Sequence, residues 1–300
     1  MADCAVETGS GLLTIRWWGV VSVGVGVERF GVEGEEMIDI ITLRGTGEQR
    51  NDDGTPAGML HDVAKLLDTE KFRCFEPDWP ASIGPDPNVW GPSLETSVRL
   101  GVAAGVKALQ DSPNVRGLLS YSLGGIVAST ILEGARAGVY TNLDDSPLEI
   151  AFVVNIANPM RRAGQSVGNL CPATTYGLHR ARGAWPLGID VREYANPDDI
   201  ITSSPGDSPL RAIDTAISPF SLVEGARIGN LTPVIFHELL NFLLLNPVAN
   251  LDRYAAAVRG LLGYLTPWPD GQHVLYSGHN MPGTSVLWTT HAADYLNANY

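Results

Sequence analysis

The residues best placed to do chemistry lie in the run Ser120-Tyr121-Ser122-Leu123-Gly124. An apolar stretch at 115–121 reads as a buried strand, and Gly124-Gly125-Ile126-Val127-Ala128 opens a helix of small residues. A serine on the sharp turn between such a strand and such a helix holds its hydroxyl above the sheet. The helix N-terminus then lies beneath the oxyanion that forms on an attacked carbonyl. Ser122 is therefore the candidate nucleophile, and the Leu123 N–H is one candidate oxyanion donor. The usual pattern for this turn is Gly-x-Ser-x-Gly, and here Ser120 stands for the first glycine. Serine is small enough to fit but adds a Cβ. Taken alone, the run also suits an ordinary strand–turn–helix. Ser120 is the lesser candidate nucleophile, because it still belongs to the strand.

A hydroxyl needs a base at neutral pH, and the base needs an orienting carboxylate. In α/β-hydrolases the chain order is serine, then acid, then histidine. The strand at 189–194 runs into Ala195-Asn196-Pro197-Asp198-Asp199-Ile200, which puts two carboxylates in the turn after it. The same run reads as solvated Pro-Asp turn chemistry, and position does not separate Asp198 from Asp199. Of six histidines, His61 and His179 precede the acid and fail the order. His237 lies inside an apolar helix, and His291 shares a helical face with Leu287 and Tyr295. That leaves His273 and His279, both in the loop region before the last helix, with His273 slightly ahead.

The elements that must position these groups alternate. Strands read at 37–43, 72–75, 115–121, 149–156 and 189–194, and helices at 57–68, 93–110, 124–137 and 285–299. Such alternation implies a parallel sheet covered on both faces. Arg44-Gly45-Thr46-Gly47 is a tight loop after the first strand, and 76–92 is a loop rich in Pro and Trp. Residues 203–264 break the rhythm and read as several helices with no strand between. The stretch 234–245 is apolar on more than one face. It forms the core of an inserted helical subdomain, or a lid or lipid-contacting wall over the site, and the two readings are compatible. Residues 268–276 read as a loop and short strand.

The 300 residues are 44% hydrophobic and 18% charged, a globular composition able to build a core. With 20 basic and 33 acidic residues the formal net charge is −13, which disfavours nucleic acid and anionic membranes but not a neutral lipid or ester. Cys4, Cys74 and Cys171 make neither a disulfide framework nor a paired metal spacing. They read as ordinary thiols, with a Cys74–Cys171 bridge left open. Residues 1–36 read as an extension of unknown role, and 37–300 as the catalytic domain. The apolar run at 12–27 follows Asp3 and Glu7 and is interrupted by Arg16, unlike a secretory signal. It is also too short and glycine-interrupted for a membrane span, and 20–27 suits a strand or hairpin.

Taken together, the segments from about 38 to 300 resemble the lysin B enzymes of mycobacteriophages, which are related to cutinases. The resemblance rests on Thr42-Leu43-Arg44-Gly45-Thr46-Gly47-Glu48, Trp79-Pro80-Ala81 and Trp90-Gly91-Pro92-Ser93. It continues through Ser120-Tyr121-Ser122-Leu123-Gly124, Asn158-Pro159-Met160-Arg161, Arg192-Glu193-Tyr194-Ala195 and His273 with Tyr276. The departures are Ser120 for the family's glycine and Leu123 for its glutamine. The resemblance implies an α/β-hydrolase three-layer sandwich with a mainly parallel sheet and an inserted helical lid or linker subdomain at about 203–264. It selects Asp199 as acid and His273 as base beside Ser122. The oxyanion would be met by Leu123 and a second donor from the 44–47 loop, at Thr46. It implies an esterase that cleaves mycolic acids from arabinogalactan in the mycobacterial envelope and aids host lysis, with no metal or organic cofactor. Synthesis in the host cytoplasm and release at lysis are expected with it; a monomer is assumed, and the sequence leaves the oligomeric state open.

Overall fold

The structure, a computed structural model, describes residues 7–8, 11–12, 37–83, 91–208, 210–211 and 272–300. Contacts divide the chain into Met1–Glu35 and Glu36–Tyr300. In the first unit Glu7–Thr8 pairs antiparallel with Gly11–Leu12. The strand or hairpin expected at 20–27 lies outside the described residues.

In the second unit five strands form one sheet: β1 (Ile38–Leu43), β2 (Phe72–Phe75), β3 (Val115–Tyr121), β4 (Phe152–Ile156) and β5 (Asp190–Tyr194). Their order is β2-β1-β3-β4-β5, and every pairing is parallel. All residues of β1 and β4 are buried. Burial on both faces explains why these segments are predominantly apolar rather than alternating. Helices α1 (Gly58–Ala64) and α4 (Trp288–Asn299) cover one face, where Leu60, Val63, Trp288 and Leu296 pack with Ile40, Leu119 and Val154. Helices α2 (Leu94–Asp111) and α3 (Leu123–Arg136) cover the other, where Val102, Leu109, Val127 and Ile131 pack with Ile41, Leu43, Leu118 and Val153. The result is a three-layer α/β/α sandwich. The sheet winds in opposite directions on either side of β1. The loops after β1 and β3 therefore leave adjacent strand ends at a topological switch point, where open α/β sheets bind ligands.

Several elements differ from expectation. Helix α1 ends at Ala64 and relaxes into tighter turns, with Leu66 and Leu67 N–H bonded to the carbonyls of Val63 and Ala64. The expected strand at 149–156 is regular only over Phe152–Ile156, and α4 begins at Trp288 rather than 285. The helical insertion does not begin at 203. Ser204–Pro205 is extended and pairs antiparallel with Thr175–Tyr176. It is held there by the Arg211 guanidinium, which donates to the carbonyls of Ser204, Pro205, Tyr176, Gly177 and Leu178. Residues 209 and 212–271, with the rest of the insertion and His237, lie outside the described residues. No strand forms at 272–276; Gln272–Val274 is a single 3-10 turn. Cys74 and Cys171 are both free thiols, and burial pushes the Cys74 thiol up to about 12. Among the described residues no helix is long and apolar enough to cross a membrane.

The register also builds a polar row across the apolar sheet. Ser120 stands opposite Asn155, and Asn155 opposite Glu193. The Ser120 hydroxyl donates to Asn155 Oδ1 at 2.5 Å, and Asn155 Nδ2 donates to Glu193 Oε1 at 3.1 Å. Asn158 Nδ2 donates to both Glu193 oxygens, at 3.2 and 3.3 Å. Burial pushes the Glu193 carboxyl up to about 7, against the pull of Arg182, the two amides and Arg161. A carboxyl raised in the fold binds its proton more tightly there than in the unfolded chain. Its stabilising effect is complete below the unfolded value and is lost as pH rises through about 7. The melting temperature is therefore expected to fall between pH 5 and 8, and Glu193→Gln to raise it at pH 8 and reduce that slope. Glu76, also pushed up to about 7 by burial, leaves part of the slope in place. Thermal melts of the parent and variant check this; identical pH dependence in the two chains contradicts it.

Candidate active site

Ser122 joins β3 to α3 with φ 51 and ψ −116. A non-glycine residue in this region carries strain of about 1–3 kcal/mol and persists only where its surroundings over-determine it. Here the Ser122 N–H donates to the Ile156 carbonyl at 3.0 Å, and its own carbonyl accepts the Gly125 N–H at 2.8 Å. The turn is tight because α3 passes against the end of β1. A Cβ on Gly124 would stand 1.8 Å from the Leu43 carbonyl oxygen, which is backbone and cannot give way. Ser120, where the usual motif has glycine, meets no such barrier. Its side chain lies in the polar row and is fully buried, so it is not an exposed nucleophile.

The Ser122 hydroxyl is 2.7 Å from His273 Nε2, and His273 Nδ1 is 2.9 Å from Asp199 Oδ2. The structure thus brings Ser122, His273 and Asp199 into one hydrogen-bonded chain, with all three buried. Asp198, the positional alternative, is exposed, as is His279. His291 bonds through Nδ1 to the Tyr194 hydroxyl at 3.0 Å, His61 is exposed, and the His179 N–H bonds to the Pro159 carbonyl. None of these stands in for His273.

Each member is held from behind. Asp199 Oδ1 accepts the Ile201 N–H at 3.0 Å, and Oδ2 accepts the Tyr276 hydroxyl at 2.9 Å as well as bonding His273. The carbonyl of Asp199 accepts the N–H groups of Thr202 and Ser203. Thr202 is tied in turn to fully buried Arg161, whose Nε donates to the Thr202 carbonyl at 2.8 Å. His273 and Tyr276, three residues apart, both reach Asp199, and a tight turn suits this because it brings residues i and i+3 to one side. Tyr121 stacks on the His273 ring, with centroids 5.7 Å apart, and its hydroxyl donates to the His273 carbonyl at 3.0 Å.

The loop after β1 completes the surroundings. Arg44 is buried and donates to Glu76 Oε1 at 3.0 Å, to the Pro77 carbonyl at 3.1 Å and to the Trp79 carbonyl. Glu48 closes the loop from the other side. Its Oε2 accepts the Gly45 N–H at 2.9 Å and its Oε1 the Met59 N–H at 2.8 Å. Burial raises the Glu48 carboxyl above the ordinary range, opposed by these two N–H groups, Arg44 and His273. Gly45 is required for contact with β3, since a Cβ would lie 2.5 Å from the Tyr121 ring. Thr46 lies between these anchors, and its hydroxyl oxygen is buried without a hydrogen-bond partner among the described residues. Leu123 is the first residue of α3, so its N–H has no partner within the helix ladder. Among the described residues no group of three His, Cys, Asp or Glu could hold a metal ion.

No protein-family model matches the sequence, and no curated protein matches it significantly. Solved structures do. Lysin B from Mycobacteriophage D29 superimposes over 88% of this chain and 99% of its own, with 18% identity and a TM-score of 0.51. This chain has that fold. The catalytic core of acetyl xylan esterase from Trichoderma reesei matches 59% of this chain and 91% of its own, with 19% identity and a TM-score of 0.43. A cutinase-like protein from Cryptococcus sp. matches 69% and 92%, with 14% identity and a TM-score of 0.36.

Sequence reasoning gave no role to Tyr121, Glu48 or Arg161, and used Tyr276 only as a landmark. The signals available were a tyrosine beside the candidate serine and a glutamate directly after a glycine-flanked loop. Neither specifies a contact until the strands are in register. The elbow itself generates an expectation. Gly124→Ala should destabilise the chain by about 3 kcal/mol or more, because the clash is with backbone. Chemical denaturation measures this, and a variant as stable as the parent would show that the approach of α3 to β1 is not as tight as described.

Proposed function

We propose that the protein is a serine esterase of the α/β-hydrolase type. Ser122 acts as nucleophile, His273 as general base and acid, and Asp199 as the carboxylate that orients the imidazole. The observation carrying this reading is the continuous chain Ser122 Oγ–His273 Nε2, His273 Nδ1–Asp199 Oδ2, at 2.7 and 2.9 Å, on a serine held at φ 51. His273 Nε2 takes the hydroxyl proton as Ser122 Oγ adds to the ester carbonyl carbon. The imidazolium so formed is stabilised by Asp199, which stays ionised. It returns the proton to the departing alkoxide as the acyl–oxygen bond of the substrate breaks. Water, deprotonated by the same imidazole, then adds to the acyl carbon, and the imidazolium returns that proton to Ser122 Oγ as the acyl–serine bond breaks and the carboxylic acid leaves. The oxyanion is met by the Leu123 N–H at the start of α3 and by Thr46, whose buried hydroxyl has no partner among the described residues.

The substrate we propose is the ester between mycolic acids and arabinogalactan, with the mycobacterial envelope as the place of action during phage-induced lysis. Support comes from the motifs distributed over about 38–300 and from the fold shared with a mycobacteriophage lysin B along almost its whole length. The net charge of −13 suits a neutral lipid ester better than a phosphodiester.

A fluorophosphonate probe is expected to label the parent chain, and Ser122→Ala to abolish labelling and lower turnover of p-nitrophenyl butyrate by about a thousandfold or more. Absence of labelling in the parent would mean a hydrolase-like binding protein instead. Purified mycobacterial cell-wall complex is expected to release free mycolic acid. Hydrolysis of the small ester without that release would make the protein a general cutinase- or lipase-type carboxylesterase. Thr46→Val is expected to lower kcat by about a hundredfold with little change in KM, as removal of an oxyanion donor does. An unchanged kcat would remove Thr46 from the mechanism.

A further inference from the structure

Asp199 Oδ2 is shared. It bonds His273 Nδ1 at 2.9 Å and also accepts the Tyr276 hydroxyl at 2.9 Å. The same hydroxyl accepts the Asn196 N–H at 2.9 Å, so a chain of donors runs from the β5 loop backbone through Tyr276 to the carboxylate. Tyr276 is fully buried, with its ring tilted against Trp288 of α4 at 5.3 Å between centroids. Burial first, and then the charge of Asp199, raise its hydroxyl well above the ordinary tyrosine value, so it remains a protonated donor at any working pH. A buried phenol needs some partner. This one is spent on the single oxygen that also orients the imidazole.

We propose that Tyr276 is a positioning residue of the triad, bracing Asp199 and withdrawing charge from the oxygen that faces His273. The inference rests on the esterase reading above. A charge-assisted hydrogen bond stabilises the carboxylate and competes with the imidazole for the same lone-pair density. With the phenol in place, Asp199 holds the ring in its tautomer while dividing the charge of Oδ2 between two donors. Loss of the phenol concentrates charge on Oδ2, favours the protonated imidazole and moves the acid limb of kcat/KM to higher pH. Among the described residues, the other titratable groups that face these include Tyr121, stacked on the His273 ring and bonded to its carbonyl, Glu48 acting on His273, and Cys171 acting on both Tyr276 and Asp199. Arg161 acts on Cys171. None of them bonds Oδ2 among the described contacts.

The test is the pH dependence of kcat/KM for p-nitrophenyl butyrate in the full chain, with fluorophosphonate labelling and thermal melts alongside. Tyr276→Phe is expected to move the acid limb upward by about half a pH unit and to lower kcat about threefold to tenfold at unchanged KM. A second variant, carrying 3,5-difluorotyrosine at position 276, keeps the ring and strengthens the donor, and is expected to move the limb downward. It also serves if Tyr276→Phe does not fold. Opposite shifts in the two variants support the proposal. Acid limbs that superpose on the parent's, even with a lower melting temperature, overturn it and leave Tyr276 a packing residue. A parent chain that neither labels nor turns over substrate would instead sink the esterase reading itself, which is a separate outcome.

Discussion

The backbone at Ser122 is in a conformation that a serine adopts only under compulsion, and much of the surrounding structure supplies that compulsion. With φ at 51, the residue is turned out of β3 and into α3 within one step. That step is possible because Gly124 lets the helix rest on the Leu43 carbonyl, and Gly45 lets the next loop close over the Tyr121 ring. The parallel pairing of β1 with β3 puts Leu43 beside Ser120 and so brings both turns to one end of the sheet. A strain of about 1–3 kcal/mol is small beside the burial of the apolar clusters on either face, so a fold of this size can sustain it.

The same end of the sheet gathers carboxylates that the protein has taken out of water. Glu76, Glu193 and Asp199 are buried and Glu48 is half-buried, in a chain whose charge is already strongly negative. Their partners differ, and the difference separates their roles. Glu76 has a buried guanidinium, Glu48 has two backbone N–H groups, and Glu193 has two side-chain amides. Each of these ties down a loop or a strand row. Asp199 alone has an imidazole, and its remaining capacity is filled by an N–H and a phenol. Three carboxylates fix the frame, and the fourth faces the imidazole that bonds Ser122.

The sheet, its parallel sense and its flanking helices were legible because burial on both faces leaves predominantly apolar runs, and because the small residues after Ser122 announce a tight turn. The order serine, acid, histidine was legible as well. Position alone could not choose between Asp198 and Asp199 or settle His273 over His279. Adjacent residues in a turn face opposite ways, and only the closed turn sends Asp199 inward and leaves Asp198 in solvent. The resemblance chose the two residues that the structure brings together. The strand at Ser204–Pro205 was illegible for a different reason. It has no apolar pattern of its own and exists because the Arg211 guanidinium and Thr175–Tyr176 hold its backbone.

Ser120 shows how a departure from a motif can be accommodated rather than merely tolerated. The usual glycine leaves the strand free to approach its neighbour, and a serine there adds a polar atom in an apolar sheet. An unpaired hydroxyl in such a place costs about 1–3 kcal/mol. Here the cross-strand residue is Asn155, and beyond it Glu193, so the hydroxyl becomes the first member of a hydrogen-bonded row. The row passes two residues from Ser122 and ends on a carboxyl that burial pushes up to about 7. The Ser120 hydroxyl is thus satisfied through Asn155, which is itself held by Glu193. A glycine restored at that position would remove a donor to Asn155 Oδ1 and leave that oxygen to find another partner inside the sheet.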